Sequence, residues 1–171
     1  MSFEETGPTR ALSLSFVPVS LPVAAMTFDW SPYETSTHQD HVIAHVIGAT
    51  VLGYFSTEQA IHLLLDIGFI WTIYIDGEMG LLPQSLAINE LEVDADVRAR
   101  LREETDMLQR DSGVEDGLVE YNTSPSGCLI VEVSIEARDE ERRIFIKGEE
   151  SGLVIETSLV TGEARVQVVS L

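Results

Sequence analysis

Asp76-Gly77 separates two apolar runs, FIWTIYI over 69–75 and the residues around MGLL over 79–82, and restricts the fold more tightly than any other stretch. A two-residue hairpin turn needs positive φ at both central positions, which an aspartate-glycine pair accepts at little cost. Phe69, Trp71, Ile73 and Ile75 alternate into one continuous apolar face, so the pair reads as an antiparallel hairpin with one buried side. The same alternation recurs toward the C-terminus, over about 128–137, 142–147, 152–159 and 164–170, with DEER, GEESG and TGE as connections. Strands clustered in this way, without a regular strand–helix–strand rhythm, predict an α+β fold. Its mostly antiparallel sheet, a C-terminal meander plus the Asp76-Gly77 hairpin, packs on two to three helices.

The chain has 171 residues, 44% of them hydrophobic, which suits a single domain over 1–171 with residues 1–37 as a short extended N-terminal segment. A chain of this size buries roughly 70% of its unfolded surface and needs neither disulfide nor metal for stability.

The helices are expected at three places. Ser56 with Gln59 three residues on resembles a capping box for a helix over 57–67, where Ala60, Leu63, Leu64 and Ile67 share a face and Gly68 ends it. Pro83 opens a short helix to about Leu91. Asp94 caps a third from Ala95 to Arg110, with Val97, Leu101 and Leu108 inward. Its Arg100/Glu104 and Arg102/Asp106 pairs, at i, i+4 spacing, read as a solvated face. The sheet should pack on the helices near 57–67 and 95–110.

The segment HVIAHVIGATVLGYF is ambiguous. Thr37 with Asp40 could open a helix, yet Val42, Ile43, Val46, Ile47, Thr50 and Val51 are β-branched and Gly48 and Gly53 lie inside the run. Branched side chains lose rotamer freedom in helices, and interior glycines cost about 1 kcal/mol each there. The balance predicts a buried strand over 42–55. Nearer the N-terminus, Leu12, Leu14 and Phe16 alternate with Ser13 and Ser15 in a half-buried strand ended by Pro18 and Pro22. ALSLSFVPVSLPVAAM has the length of a secretory leader core, but prolines interrupt it and Glu4 and Glu5 precede it, so it reads as strand. DWSPYETST is a loop, and Gly113 to Gly127 is the plausible flexible link.

No uncharged apolar run reaches the ~20 residues of a membrane-spanning helix. Cys128 stands alone, so no intramolecular disulfide can form, which fits a reducing compartment. A soluble, cytoplasmic protein is expected, with homo-oligomerisation left open.

Charge is the strongest compositional anomaly, a formal net −19. No lysine or arginine occurs between Ala11 and Val97; residues 1–97 hold 13 acids against Arg10, and residues 98–171 hold 16 against nine bases. Such a field repels phosphate backbones and anionic lipid heads, disfavouring nucleic acid and membrane, and attracts a basic protein partner. The same acidity also serves plain solubility, or a saline environment.

Three of the four histidines fall in HQDHVIAH, residues 38–45. On a helix His38, His41 and His45 would share a face and could converge on a divalent transition metal such as zinc, with Asp40, Glu34 or a remote acid completing the shell. On a strand His38 would point away from the other two. The metalloprotease version of the spacing needs a glutamate directly after the first histidine of its i, i+4 pair, and position 42 is valine. His62, on the expected 57–67 helix one turn from Glu58 and Asp66, offers a surface pair or a fourth ligand. Cys128 has no local cation, histidine or helix N-terminus to activate it and reads as a buried structural thiol. Glu90, Glu92, Asp94 and Asp96 alternate without the glycine and bidentate glutamate of a calcium loop, so capping explains Asp94 and Asp96.

The function expected is that of a non-catalytic acidic binding or accessory protein, inhibitor-, immunity- or chaperone-like, recognising a basic protein and using no cofactor. The alternative is a metal-dependent enzyme, a hydrolase first, built on His38, His41 and His45.

Overall fold

The computed structural model describes residues 29–110, 116–120 and 128–171. The expected strand around Leu12–Phe16 and most of the Gly113–Gly127 link lie outside the described residues. In chain order the elements are β1 (Ser31–Pro32), α1 (Thr37–Val46), β2 (Thr50–Ser56), β3 (Ala60–Leu65), β4 (Phe69–Tyr74), β5 (Met79–Pro83), α2 (Gln84–Glu90) and α3 (Ala95–Gln109). Then follow β6 (Cys128–Leu129), β7 (Glu132–Arg138), β8 (Glu141–Lys147), β9 (Ser151–Ser158) and β10 (Glu163–Ser170). They build two five-stranded sheets, β5-β4-β3-β2-β6 and β1-β7-β8-β9-β10, with every strand pairing antiparallel. The fold is α+β, as the alternation implied, but the strands divide between two sheets.

The hairpin joins β4 and β5 in register from Phe69 opposite Pro83 to Ile73 opposite Met79. Its turn is wider than two residues. The Gly77 amide donates to the Tyr74 carbonyl at 2.9 Å and the Tyr74 amide donates to the Glu78 carbonyl at 2.9 Å, with Gly77 alone at positive φ, +86°. Asp76 takes up the slack by accepting from the Glu78 amide at 3.0 Å.

The expected helix over 57–67 is a strand. All six residues of β3 are buried, which one stripe of a surface helix cannot achieve. Ile61, Leu63 and Leu65 face the second sheet while Leu64 faces the helices, so burial from both sides overrides leucine's helix preference. The apparent capping box marks the β2–β3 turn, where the Thr57 amide donates to the Ala60 carbonyl at 2.9 Å.

The expected strand over 42–55 divides into α1 and β2. Ser36, not Thr37, opens the helix: its hydroxyl accepts from the Gln39 amide at 3.2 Å, and the Gln39 side chain accepts from the Ser36 amide at 2.8 Å. Gly48, at φ +85°, follows the C-cap Ile47, so this glycine ends a helix instead of weakening a strand. Gly53 stays in β2 for a different reason. A Cβ there would lie 2.9 Å from both the Glu120 carbonyl oxygen and Val119 Cγ1.

The C-terminal meander has the expected strands with one break. Cys128 and Leu129 pair with β2, the Ile130 amide donates to the Ala49 carbonyl, and the Val131 amide donates to the Lys147 carbonyl. The chain therefore leaves one sheet and enters the other between Ile130 and Val131.

The inner faces share the main core. Ile61, Leu63, Leu65, Trp71 and Ile73 meet Ile135, Ile144, Ile146, Leu153 and Ile155, with Val42 and Val46 of α1 closing one side. Each such aliphatic chain contributes roughly 1.5–3 kcal/mol by leaving water. A second core lies on the outer face of the first sheet, where Phe55, Leu64 and Ile70 meet Ala87 and Ile88 of α2 and Leu101 and Leu108 of α3. Helices α2 and α3, the first sheet and the second sheet thus form three layers.

Helix α3 differs from expectation on its polar face. Glu104 is buried, and its Oε2 accepts from the amides of Leu118 and Val119 at 2.7 and 3.0 Å. That carboxylate holds down the segment carrying Glu120, which pairs through its backbone with Tyr54 and accepts from the Tyr54 hydroxyl at 2.7 Å. Burial and the adjacent Glu120 carboxylate push the Tyr54 phenol up to about 12. Arg102 contacts Asn89, not Asp106.

Candidate binding cleft

The second core does not extend over the whole outer face of the first sheet. Ala60, His62, Thr72 and Tyr74 share that face and pair across β3 and β4, His62 opposite Thr72 and Ala60 opposite Tyr74. Above them opens a cleft of about 820 Å³. Ile70, Ala87, Leu91 and Val93 give it an apolar wall, and Glu58, Glu90 and Glu92 stand at its margin. Among the described residues no lysine or arginine lines it. Arg98 of α3 braces the wall from behind, its guanidinium donating to the carbonyls of Leu91 and Val93 at 2.7 and 3.3 Å.

His62 sets the character of the floor. It is 4% exposed, stacks on Phe55 with ring centroids 4.7 Å apart, and has both ring nitrogens engaged. Nδ1 lies 2.9 Å from the Thr72 hydroxyl and Nε2 lies 3.1 Å from the Thr57 hydroxyl. Burial lowers its pKa from 6.5 to about 4, since two hydroxyls do not replace the water an imidazolium requires. The floor is polar but carries no charge near neutral pH.

The expected helical position of His62 beside Glu58 and Asp66 is therefore overturned, because the strand turns its ring inward between two threonines. Asp66 instead accepts from the Thr50 amide at 2.8 Å.

His38, His41 and His45 do lie on a helix, α1, and all three are exposed. The rings of His38 and His45 are occupied separately. His38 Nε2 is 2.9 Å from the Met79 carbonyl, and His45 Nδ1 is 2.7 Å from the His41 carbonyl of its own helix. A carbonyl only accepts, so each of those nitrogens carries the proton. Asp40 accepts from the Thr35 hydroxyl, and Glu34 is exposed. Among the described residues no group of three histidine, cysteine, aspartate or glutamate side chains is placed to hold a metal ion. His38 has a structural task instead. With Gln39, whose side-chain amide donates to the Gly77 carbonyl at 3.0 Å, it covers the free edge of β5.

Cys128 is fully buried, its thiol directed to the Ser151 carbonyl at 3.6 Å, and burial raises its pKa. Asp94 stands at the N-cap of α3 without a side-chain hydrogen bond. Glu90 and Glu92, which in sequence belonged to an unremarkable acidic run, flank the cleft. No helix among the described residues is long and apolar enough to cross a membrane. Comparison with protein-family models, with curated proteins and with solved structures finds no match.

Proposed function

We propose that this is a non-catalytic binding protein that recognises a basic protein partner, in the manner of an inhibitor, an immunity protein or a chaperone-like accessory factor. The observation that carries the reading is the uneven distribution of charge along the chain. Residues 29–97, which supply α1, α2 and most of the first sheet, contain eleven carboxylates and no lysine or arginine. None of those carboxylates has an ion-pair partner among the described residues. Four of the five bases of the second sheet are matched at home: Arg138 with Glu141, Arg143 with Glu136 and Glu156, Lys147 with Glu132, and Arg165 with Glu163. Arg138 and Arg143 also lie over the Trp30 ring, and Arg142 over Tyr33. The α1, β2–β5 and α2 stretch thus projects negative charge that no ion pair among the described residues balances, which accelerates encounter with a basic surface and selects against acidic ones.

The groups that could do chemistry support a binding role. His62 spends both nitrogens on threonine hydroxyls, and the Cys128 thiol is buried with its pKa raised. Neither is poised as a base or a nucleophile.

The test is capture on the immobilised protein at about 50 mM salt, identification of what is retained, and titration of that purified partner by calorimetry. A basic protein whose affinity falls at least about tenfold by roughly 500 mM salt is expected, since exposed charge pairs are screened over that range. A partner that is not basic, or an affinity indifferent to salt, overturns the proposal. Stability that rises with salt, with no partner retained, would assign the acidity to a saline environment.

A further inference from the structure

Among the described residues no element covers part of the first sheet's outer face, and what surrounds that opening specifies its occupant. We propose that the cleft above Thr72 and Tyr74 seats one lysine or arginine side chain of the partner, stem against the apolar wall and cationic head among Glu58, Glu90 and Glu92. This rests on the binding reading above and assigns it a contact point.

The argument is one of complementarity at each depth. Ile70, Ala87 and Leu91 form a wall on which a methylene stem can bury area while its head stays polar, as long basic side chains do. An apolar residue would fill the wall but leave three carboxylates unbalanced, and an anion would face them directly. Tyr74, 42% exposed, offers a ring face to a cation. His62 would oppose a cation only if protonated, and both its nitrogens are tied to threonine hydroxyls in a buried position. Of the guanidiniums near it among the described residues, that of Arg98 is given to the carbonyls of Leu91 and Val93 and that of Arg102 to Asn89. A volume of about 820 Å³ admits the side chain together with the backbone that carries it, within the ~300–1,000 Å³ range of ligand sites.

The test uses defined probes and nitrogen-15 amide shifts of the full chain. The peptide acetyl-Ala-Leu-Lys-Leu-Ala-amide is titrated beside its arginine counterpart, its Nε-acetyl-lysine counterpart and spermidine. The lysine and arginine peptides should shift the amides of Thr72, Tyr74, Glu90 and Leu91, and acetylation should abolish the effect. Glu90→Gln with Glu92→Gln should weaken binding about tenfold, equivalent to about 1.4 kcal/mol, whereas the charge-matched Glu34→Gln with Glu78→Gln should change it less than about twofold. Each variant's own spectrum shows whether it is folded. Shifts scattered over the acidic side, or equal loss in both double variants, overturn the cleft assignment and leave the basic-partner reading standing. Spermidine acting at the same amides as tightly as the peptides would overturn the assignment to a protein side chain. If no basic probe binds and no basic protein is retained, both readings fall.

Discussion

Acidification should strip stability from this protein through His62, and the amount can be worked from its surroundings. The ring is 4% exposed, stacked on Phe55, and its two nitrogens meet only hydroxyls. Burial sets its folded pKa at about 4 against 6.5 in an unfolded chain. Above pH 6.5 the imidazole is neutral in both states and stability does not depend on it. Between about 6.5 and 4 the unfolded chain binds a proton the folded chain refuses, so stability falls with pH at up to ~1.4 kcal/mol per unit. Below about 4 both states are protonated and the loss, roughly 3 kcal/mol, is complete. Carboxylates titrate in the same window and relieve self-repulsion, so the measurement is a difference. Urea unfolding of the native protein and of His62→Gln is compared at about pH 7, 6, 5 and 4, since glutamine keeps polar contact with the threonines and does not titrate. The gap in stability between them should shift against the native protein by roughly 3 kcal/mol across the series. Parallel curves, or a carbon–proton signal that disappears in His62→Gln and titrates near 6.5 in the folded native protein, would refute the buried neutral imidazole.

Other expectations follow from single contacts. Glu104→Ala orphans the amides of Leu118 and Val119 and should cost about 2–4 kcal/mol by thermal or urea melting, whereas Arg100→Ala, whose side chain is 56% exposed, should cost under about 1 kcal/mol. Gly53→Ala places a methyl 2.9 Å from the Glu120 carbonyl and should destabilise by roughly 1–3 kcal/mol, with faster hydrogen exchange at the Glu120 amide. Arg98→Ala releases the carbonyls of Leu91 and Val93, and exchange should accelerate along 91–93 with little change in β3. Elemental analysis of untagged protein should find no stoichiometric metal. Stoichiometric zinc that is lost from His41→Ala with His45→Ala would restore the metal-enzyme alternative.

The readings that succeeded rest on signals carried by a few adjacent residues. Alternation in ERRIFIK and GLVIETS places β8 and β9 to within a residue or two, and Asp94 marks the start of α3. The failures occur where burial depends on a remote layer. AIHLLL has a helical composition and becomes a strand only because the second sheet covers one side and α2 and α3 the other. The β-branched run around Val42 and Val46 becomes a helix because Ser36 and Gln39 cap it and Gly48 ends it, local signals set one residue before the position weighed at Thr37. The cleft was not legible at all. It depends on His62 standing opposite Thr72 and on helices that stop short of them, a matter of register that no spacing in the chain records.

The crossing at Ile130–Val131 has a consequence for how the chain acquires its structure. Thr50 pairs with Leu129 and Val51 with Cys128, so the first sheet stays incomplete until a segment nearly eighty residues downstream has left the ribosome. Until then β2 offers an open hydrogen-bonding edge to any passing strand, the state in which long-range β pairings are exposed to misassembly. Because the same few residues then begin the second sheet, closing that edge and nucleating β7 are one event. The two sheets should therefore appear together in a single slow kinetic phase, without an intermediate holding one sheet alone.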